Sequence, residues 1–266
     1  MNGIVSYGSN FTADTGREPS ANIWKNMPTG LMTDPSKGQY IFKDVFPTVA
    51  NNIAAAWYGS DLQVYTGATA GSDITDAATL GGAVKLESTT DDQGCAIRTP
   101  AQFQIDIGQG RLWFEARIKQ VNITDSKFNM FCGLVETGAV AATLPLTTSD
   151  AVSDNNLVGF QRVFVDGDAL DTTYKADSVT QVTVGTDAIT TVADTYVKVG
   201  MYFDGSVLYF YKDGVRLADS KTIPTADGTD FPNDVRLGFV FAVMMGHGDT
   251  GSATIDWFRV AQEKAP

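Results

Sequence analysis

The sequence predicts an all-β protein built as a two-sheet antiparallel β-sandwich with an extended N-terminal arm. Three observations predict it. Short runs of aromatic and β-branched residues recur between Gly, Asp, Asn and Thr, a pattern that favours strands over helices. The stretch Tyr196 to Leu217 alternates in period 2, with Val197, Val199, Met201 and Phe203 on one face and Lys198, Gly200, Tyr202 and Asp204 on the other. Within it, Asp204-Gly205 and Asp213-Gly214 tolerate positive φ and turn the chain twice, which makes an antiparallel meander with one buried face.

The elements follow in order. Residues 1–36 carry isolated anchors, among them Tyr7, Phe11 and Trp24, in a background of Gly, Ser, Asn, Thr and Pro. Such a segment is too polar to form its own core, and two placements are open: an arm laid over a neighbouring surface, or a wrap on its own sandwich. The domain proper is read as residues 37–266. Gln39 to Phe46 is a strand stopped by Pro47, 49–58 a short helix or apolar connection, and Leu62 to Tyr65 a strand. Gly67 to Asp76 reads as a loop, and Ala83 to Glu87 with Gly94 to Arg98 as a hairpin. Phe103, Ile105 and Ile107 alternate ahead of Gly108.

Arg111 to Val121 is the clearest strand of the first half, with Leu112, Phe114, Ala116 and Ile118 on one face and Trp113, Glu115, Arg117 and Lys119 on the other. Phe128 to Glu136 returns, 137–156 is a long loop, and Leu157 to Val165 is a strand. Thr172 to Lys175 and Ser178 to Val184 are weaker ones. After the meander, Val235 to Met244 and Ala253 to Gln262 close the domain. No repeat of useful period is present, which argues against a propeller or solenoid.

Composition narrows the function classes. The chain has 266 residues, 43% of them hydrophobic, and a formal charge of −12, which suits neither a phosphate backbone nor an anionic membrane. No basic-then-apolar leader opens the sequence and no apolar run is long enough to span a bilayer, so maturation without a signal peptide is expected. Cys95 and Cys132 are either a single bond or two small buried hydrophobes.

Catalytic patterns are sparse. His247 is the only histidine and sits in the turn Gly246-His247-Gly248-Asp249. One histidine and two distant cysteines do not make a zinc site, and no phosphate-binding glycine loop is present. Asp166, Asp168 and Asp171 could pair as carboxylates for glycoside hydrolysis, but Asp166-Gly167-Asp168 is a better turn tip than a rigid catalytic strand. These, with Asp91, Asp92 and Asp249, could supply oxygen ligands to calcium, although none follows a spaced calcium-loop pattern. The expectation is therefore no enzyme activity, no cofactor and no metal. Trp113, Tyr202, Tyr209 and Tyr211 are the candidates for stacking on a sugar or for contact between subunits.

Three segments carry a resemblance. Gly110 to Lys119, GRLWFEARIK, is similar to the G-x-F-E-A-R-I-K strand of the concanavalin A-like lectin/glucanase superfamily. Tyr209 to Val215, YFYKDGV, resembles its Y-x-x-Y-x-D-G hairpin, and Ile255 to Val260, IDWFRV, its closing I-D-Y-I-R-V strand. The glucanase branch carries E-x-D-x-(x)-E, and the nearest spacing here, Asp166 to Asp171, contains no glutamate. With Phe131 to Gly138, FCGLVETG, the chain is most similar to tailed-bacteriophage virion proteins of the capsid decoration or cement type. That resemblance implies a concanavalin A-like jelly roll, a virion location on the capsid exterior, a major capsid protein as partner, and a homo-oligomer, with a trimer favoured. The alternative is a lectin-like carbohydrate-binding module on a head fibre or tail.

Overall fold

The computed structural model describes residues 16–43, 56–58, 62–66, 72–76, 83–138, 144–246 and 250–265. Two one-turn helices, α1 (Ala21–Trp24) and α2 (Gly30–Thr33), precede the strands. The first strands are β1 (Gly38–Lys43), β2 (Ala56–Tyr58), β3 (Leu62–Thr66), β4 (Ser72–Asp76), β5 (Val84–Ser88) and β6 (Gly94–Arg98). Then come β7 (Leu112–Gln120), β8 (Phe128–Glu136), β9 (Leu157–Arg162), β10 (Ala169–Lys175) and β11 (Val182–Thr190). The meander is β12 (Val197–Phe203), β13 (Val207–Lys212) and β14 (Val215–Thr222), and β15 (Leu237–Met245) and β16 (Gly251–Glu263) end the fold.

Two antiparallel sheets of eight strands each form a sandwich. The front sheet runs β14-β13-β12-β7-β16-β5-β4, with β1 also paired to β16. The back sheet runs β11-β10-β9-β8-β15-β6-β3-β2. Period-2 alternation puts Leu112, Phe114, Ala116 and Ile118 of β7 and Val197, Val199, Met201 and Phe203 of β12 into the space between the sheets. Phe239 of β15 and Phe258 of β16 stack there across the two sheets, with ring centroids 3.7 Å apart and planes at 7°. Asp213 (φ 47°) and Gly214 (φ 75°) both take positive φ, the tight turn that joins β13 to β14 with the twist of the flanking strands.

Several expectations are corrected. The 83–98 segment is not a hairpin: β5 pairs with β16 in the front sheet, while β6 pairs with β15 in the back one. Its turn therefore crosses the sandwich instead of closing a ladder. The 67–76 loop ends in β4, whose Ile74 lies opposite Leu86 and is fully buried. Its polar flanks hid it, because an edge strand needs only one apolar residue on the core side. Residues 103–107 form a single bridge, Phe103 to Leu237, and Ile107 is 41% exposed. Of the 49–58 segment, Ala56–Tyr58 is the strand β2 and neither helix nor connection, while residues 49–55 and 67–71 lie outside the described residues.

Cys95 and Cys132 are both free and fully buried. Cys95 faces Val243 and Cys132 faces Phe241 from opposite sides of β15. A whole strand between them sets their Cα atoms about 10 Å apart, too far for a disulfide.

Candidate functional site: a tyrosine ledge beside an N-terminal strap

The outer face of the front sheet is covered by residues 16–36, which act as a strap. Ile23, Trp24, Met27 and Leu31 bury their side chains against Trp113, Tyr211 and Ala261 of that sheet. Polar anchors fix the strap in register. Asp256 accepts hydrogen bonds from Arg17 Nη2 at 2.9 Å and from Arg117 Nη1 at 2.6 Å. Alternation from the buried Ile255 puts Asp256 on the outer face, where it is the unpaired residue of a register shift between Ile255 and Trp257. Lys198 Nζ donates to the Glu18 carbonyl at 2.9 Å, and Asn22 Nδ2 to the Gly214 carbonyl at 3.1 Å.

Glu115 is the centre of this seam. Its side chain is fully buried and accepts the Trp24 Nε1–H at 2.7 Å and the Ser20 N–H at 3.0 Å, both on Oε2. Burial pushes the carboxyl up, while the Ser20 and Trp24 donors and the Lys198 cation hold back part of that rise.

The strap covers the part of the meander around Gly200, Tyr211 and Gly214, and the outward side chains it leaves open form a ledge. Strand register places Trp113, Tyr202 and Tyr209 in one row across β7, β12 and β13. The Trp113 and Tyr202 rings lie 5.7 Å apart, and Tyr202 and Tyr209 stack at 6.4 Å with planes at 19°. Arg216 of β14 covers Tyr209, its Cζ 3.8 Å from the ring centroid. Tyr209 Oη donates to Asp204 Oδ2 at 3.1 Å, which fixes the ring's tilt. Burial tends to lift the Asp204 carboxyl, but the N–H groups of Val207 and Ser206 outweigh it and hold it below its ordinary value. Tyr202 and Tyr211 are lifted, mainly by burial, so both keep their hydroxyl protons at neutral pH.

Between ledge and strap runs an open groove of about 440 Å³, lined by Asn22, Lys25, Tyr202, Tyr211, Gly214 and Arg216. It offers two tyrosine faces, two cations and an amide, a set suited to an amphipathic surface or a saccharide ring.

The sequence-nominated residues separate on this geometry. Tyr202 and Tyr209 come together at the ledge, whereas Tyr211 is packed under the strap and only 8% exposed. Trp113 belongs to the same row but is fully buried under the strap, so nothing can stack on it while the strap is seated. Trp24, nominated as an arm contact with a neighbour, is 2% exposed and is used within the chain, on Glu115 and edge-on to Phe42. Tyr7 and Phe11 lie outside the described residues. Asn22, Lys25 and Arg216 were not singled out in the sequence. Only the distant strap brings the first two there, and Arg216 reads simply as one charge on an edge strand.

The carboxylates divide as well. Asp166 and Asp168 sit in the turn between β9 and β10, where hydrogen bonding to Asp166 raises Asp168. Asp171 turns away to accept the Asp187 N–H at 2.8 Å. His247 and Asp249 lie outside the described residues. Among the described residues, no group of three or more His, Cys, Asp or Glu is placed to hold a metal, and no helix is long and apolar enough to cross a membrane.

No protein-family model matches the sequence, and no curated protein matches it either. Solved structures do match the fold. A protein of unknown function from Shewanella oneidensis MR-1 is 13% identical with a TM-score of 0.53, over 86% of this chain and 88% of that one. A structure titled for the endo-acting O-glycanases by which human gut microbiota initiate mucin breakdown is 11% identical with a TM-score of 0.54, over 81% and 99%. The β-glucanase of Bacillus licheniformis is 14% identical with a TM-score of 0.50, over 85% and 99%. The chain thus has the concanavalin A-like, glucanase-type β-sandwich fold.

Proposed function

We propose that this protein is a non-enzymatic component of a bacteriophage virion, a capsid decoration protein that seats on the major capsid protein and stabilises the shell. The observation that carries the reading is the tyrosine ledge: Tyr202 and Tyr209 beside Arg216, next to an open groove. Tyr and Arg are the residue types that anchor protein interfaces, because each buries a large rigid surface and still hydrogen-bonds at its tip. The virion assignment rests on the FEARIK and FCGLVETG segments described above. Attachment as a homo-oligomer, a trimer in the favoured form, lets modest contacts sum to a stable coat.

The test is binding of the purified protein to undecorated capsids. An anchoring Tyr or Arg is worth about 2 kcal/mol or more, so Tyr209→Ala with Arg216→Ala should lower capsid affinity by more than about tenfold. Unchanged occupancy and unchanged capsid heat resistance would remove the ledge from the reading.

The near-parallel Tyr202 and Tyr209 rings favour a second reading, a lectin-like module that stacks a host-surface sugar on the ledge. A glycan array separates the two. Saccharide binding lost in the Tyr209→Ala protein, with capsid binding absent, selects the lectin.

A further inference from the structure

A second groove, of about 430 Å³, opens where the start of β1 meets the end of β16. The 102–109 connection forms its other wall, and Arg236, just ahead of β15, stands at its rim. Its lining is dominated by side-chain amides. Gln262 is buried and framework: its Oε1 accepts the Gln104 N–H at 2.9 Å and its Nε2 donates to the Gln104 carbonyl. Gln104 Nε2 donates to the Asn233 carbonyl at 2.8 Å, and Gln39 Nε2 to the Gln102 carbonyl. Both of those amides are thereby oriented, and each keeps its own oxygen as an acceptor.

The remaining groups are uncommitted. Among the described residues, the side chains of Gln102, Gln109, Arg236 and Lys264 have no hydrogen-bond or ion-pair partner. The one carboxylate in the lining, Glu263, is already held by Arg111 through a two-pronged pair at 2.7 and 2.6 Å. A chain of net charge −12 therefore leaves two free cations at one groove, beside two free amides and two oriented amide oxygens. An amide matches a vicinal diol, donating to one hydroxyl and accepting from the next. A guanidinium or ammonium at the rim matches a carboxylate.

We propose that this groove binds a carboxylated saccharide, with Gln39, Gln102, Gln104 and Gln109 reading its hydroxyls and Arg236 and Lys264 its carboxylate. The site is separate from the tyrosine ledge and does not require the decoration reading.

Affinity electrophoresis of the full chain tests it, in gels containing polygalacturonate, a sialylated glycoprotein, a neutral glucan or dextran sulfate. Retardation by polygalacturonate or by the sialylated glycoprotein is expected, and which of them retards the protein tells an internal uronate from a terminal sialic acid. Arg236→Gln with Lys264→Gln should weaken that binding by about tenfold or more, while Val192→Ser, at an exposed side chain outside both grooves, leaves it unchanged. Gln109→Ala, in an uncommitted side chain, provides a second variant, with melting curves to show that each protein is folded. No retardation by either acidic saccharide would overturn the proposal. So would equal retardation by the neutral glucan or dextran sulfate, or a folded double variant that binds as well as the parent.

Discussion

Glu115 shows how much one residue's environment depends on a segment far away in sequence. In β7 it points outward, where a carboxylate is ordinarily solvated, but the strap closes over it and supplies Trp24 and Ser20 as donors. Because burial dominates, its folded-state pKa lies above the ordinary value of 4.5. Folding then takes up a proton at Glu115 between those two values. Its contribution is most favourable below pH 4.5 and declines as pH climbs through the folded-state pKa. Glu115→Gln should remove that slope. Urea midpoints from pH 4.5 to 8 should show the variant gaining on the parent as pH rises. Parallel curves would mean that the carboxyl is not buried as described. The alternation in RLWFEARIK showed which way Glu115 points, but nothing local to it indicated a cover.

At the scale of elements, the strap and the meander are fitted to each other at glycines. A Cβ placed on Gly200 would lie 2.4 Å from Ile23 Cδ1, and one on Gly214 would lie 2.7 Å from Ser20 Cβ. Gly200 is thus small because a helix lies on it, not because its strand turns. Gly200→Val should unseat α1 and cost about 1–3 kcal/mol while leaving the two sheets intact. Limited proteolysis should then cut within residues 16–36 well before it degrades the sandwich, and a cleavage pattern like the parent's would count against this packing. The meander itself was legible in full from its alternation and its two Asp-Gly steps. The partners of β5 and β6 were not. A turn-rich sequence between two strands looks the same whether the chain doubles back in one sheet or crosses to the other, and only pairing with β16 and β15 distinguishes them.

For the molecule as a whole, the inter-sheet core is one continuous cluster that holds both cysteines. Burial also pushes the Cys132 thiol upward, which keeps it protonated and unreactive. Both thiols should resist a thiol-specific reagent in native buffer and become reactive together across the unfolding transition, because reaching either requires opening the sandwich. Labelling of one thiol in native buffer would reveal a local opening that this packing does not provide.

The sequence by itself determined the fold class, the core face of the main strands, the turns of the meander and the outward direction of Tyr202 and its hairpin partner Tyr209. All of these follow from backbone periodicity and local φ preferences, which act over a few residues. Tertiary structure alone decided which sheet each strand joins, that Trp113 and Glu115 lie under a strap, and that five scattered glutamines meet at one groove. Those outcomes depend on contacts between residues far apart in sequence, 91 positions for Trp24 and Glu115 and 158 for Gln104 and Gln262, and no short window of sequence records them.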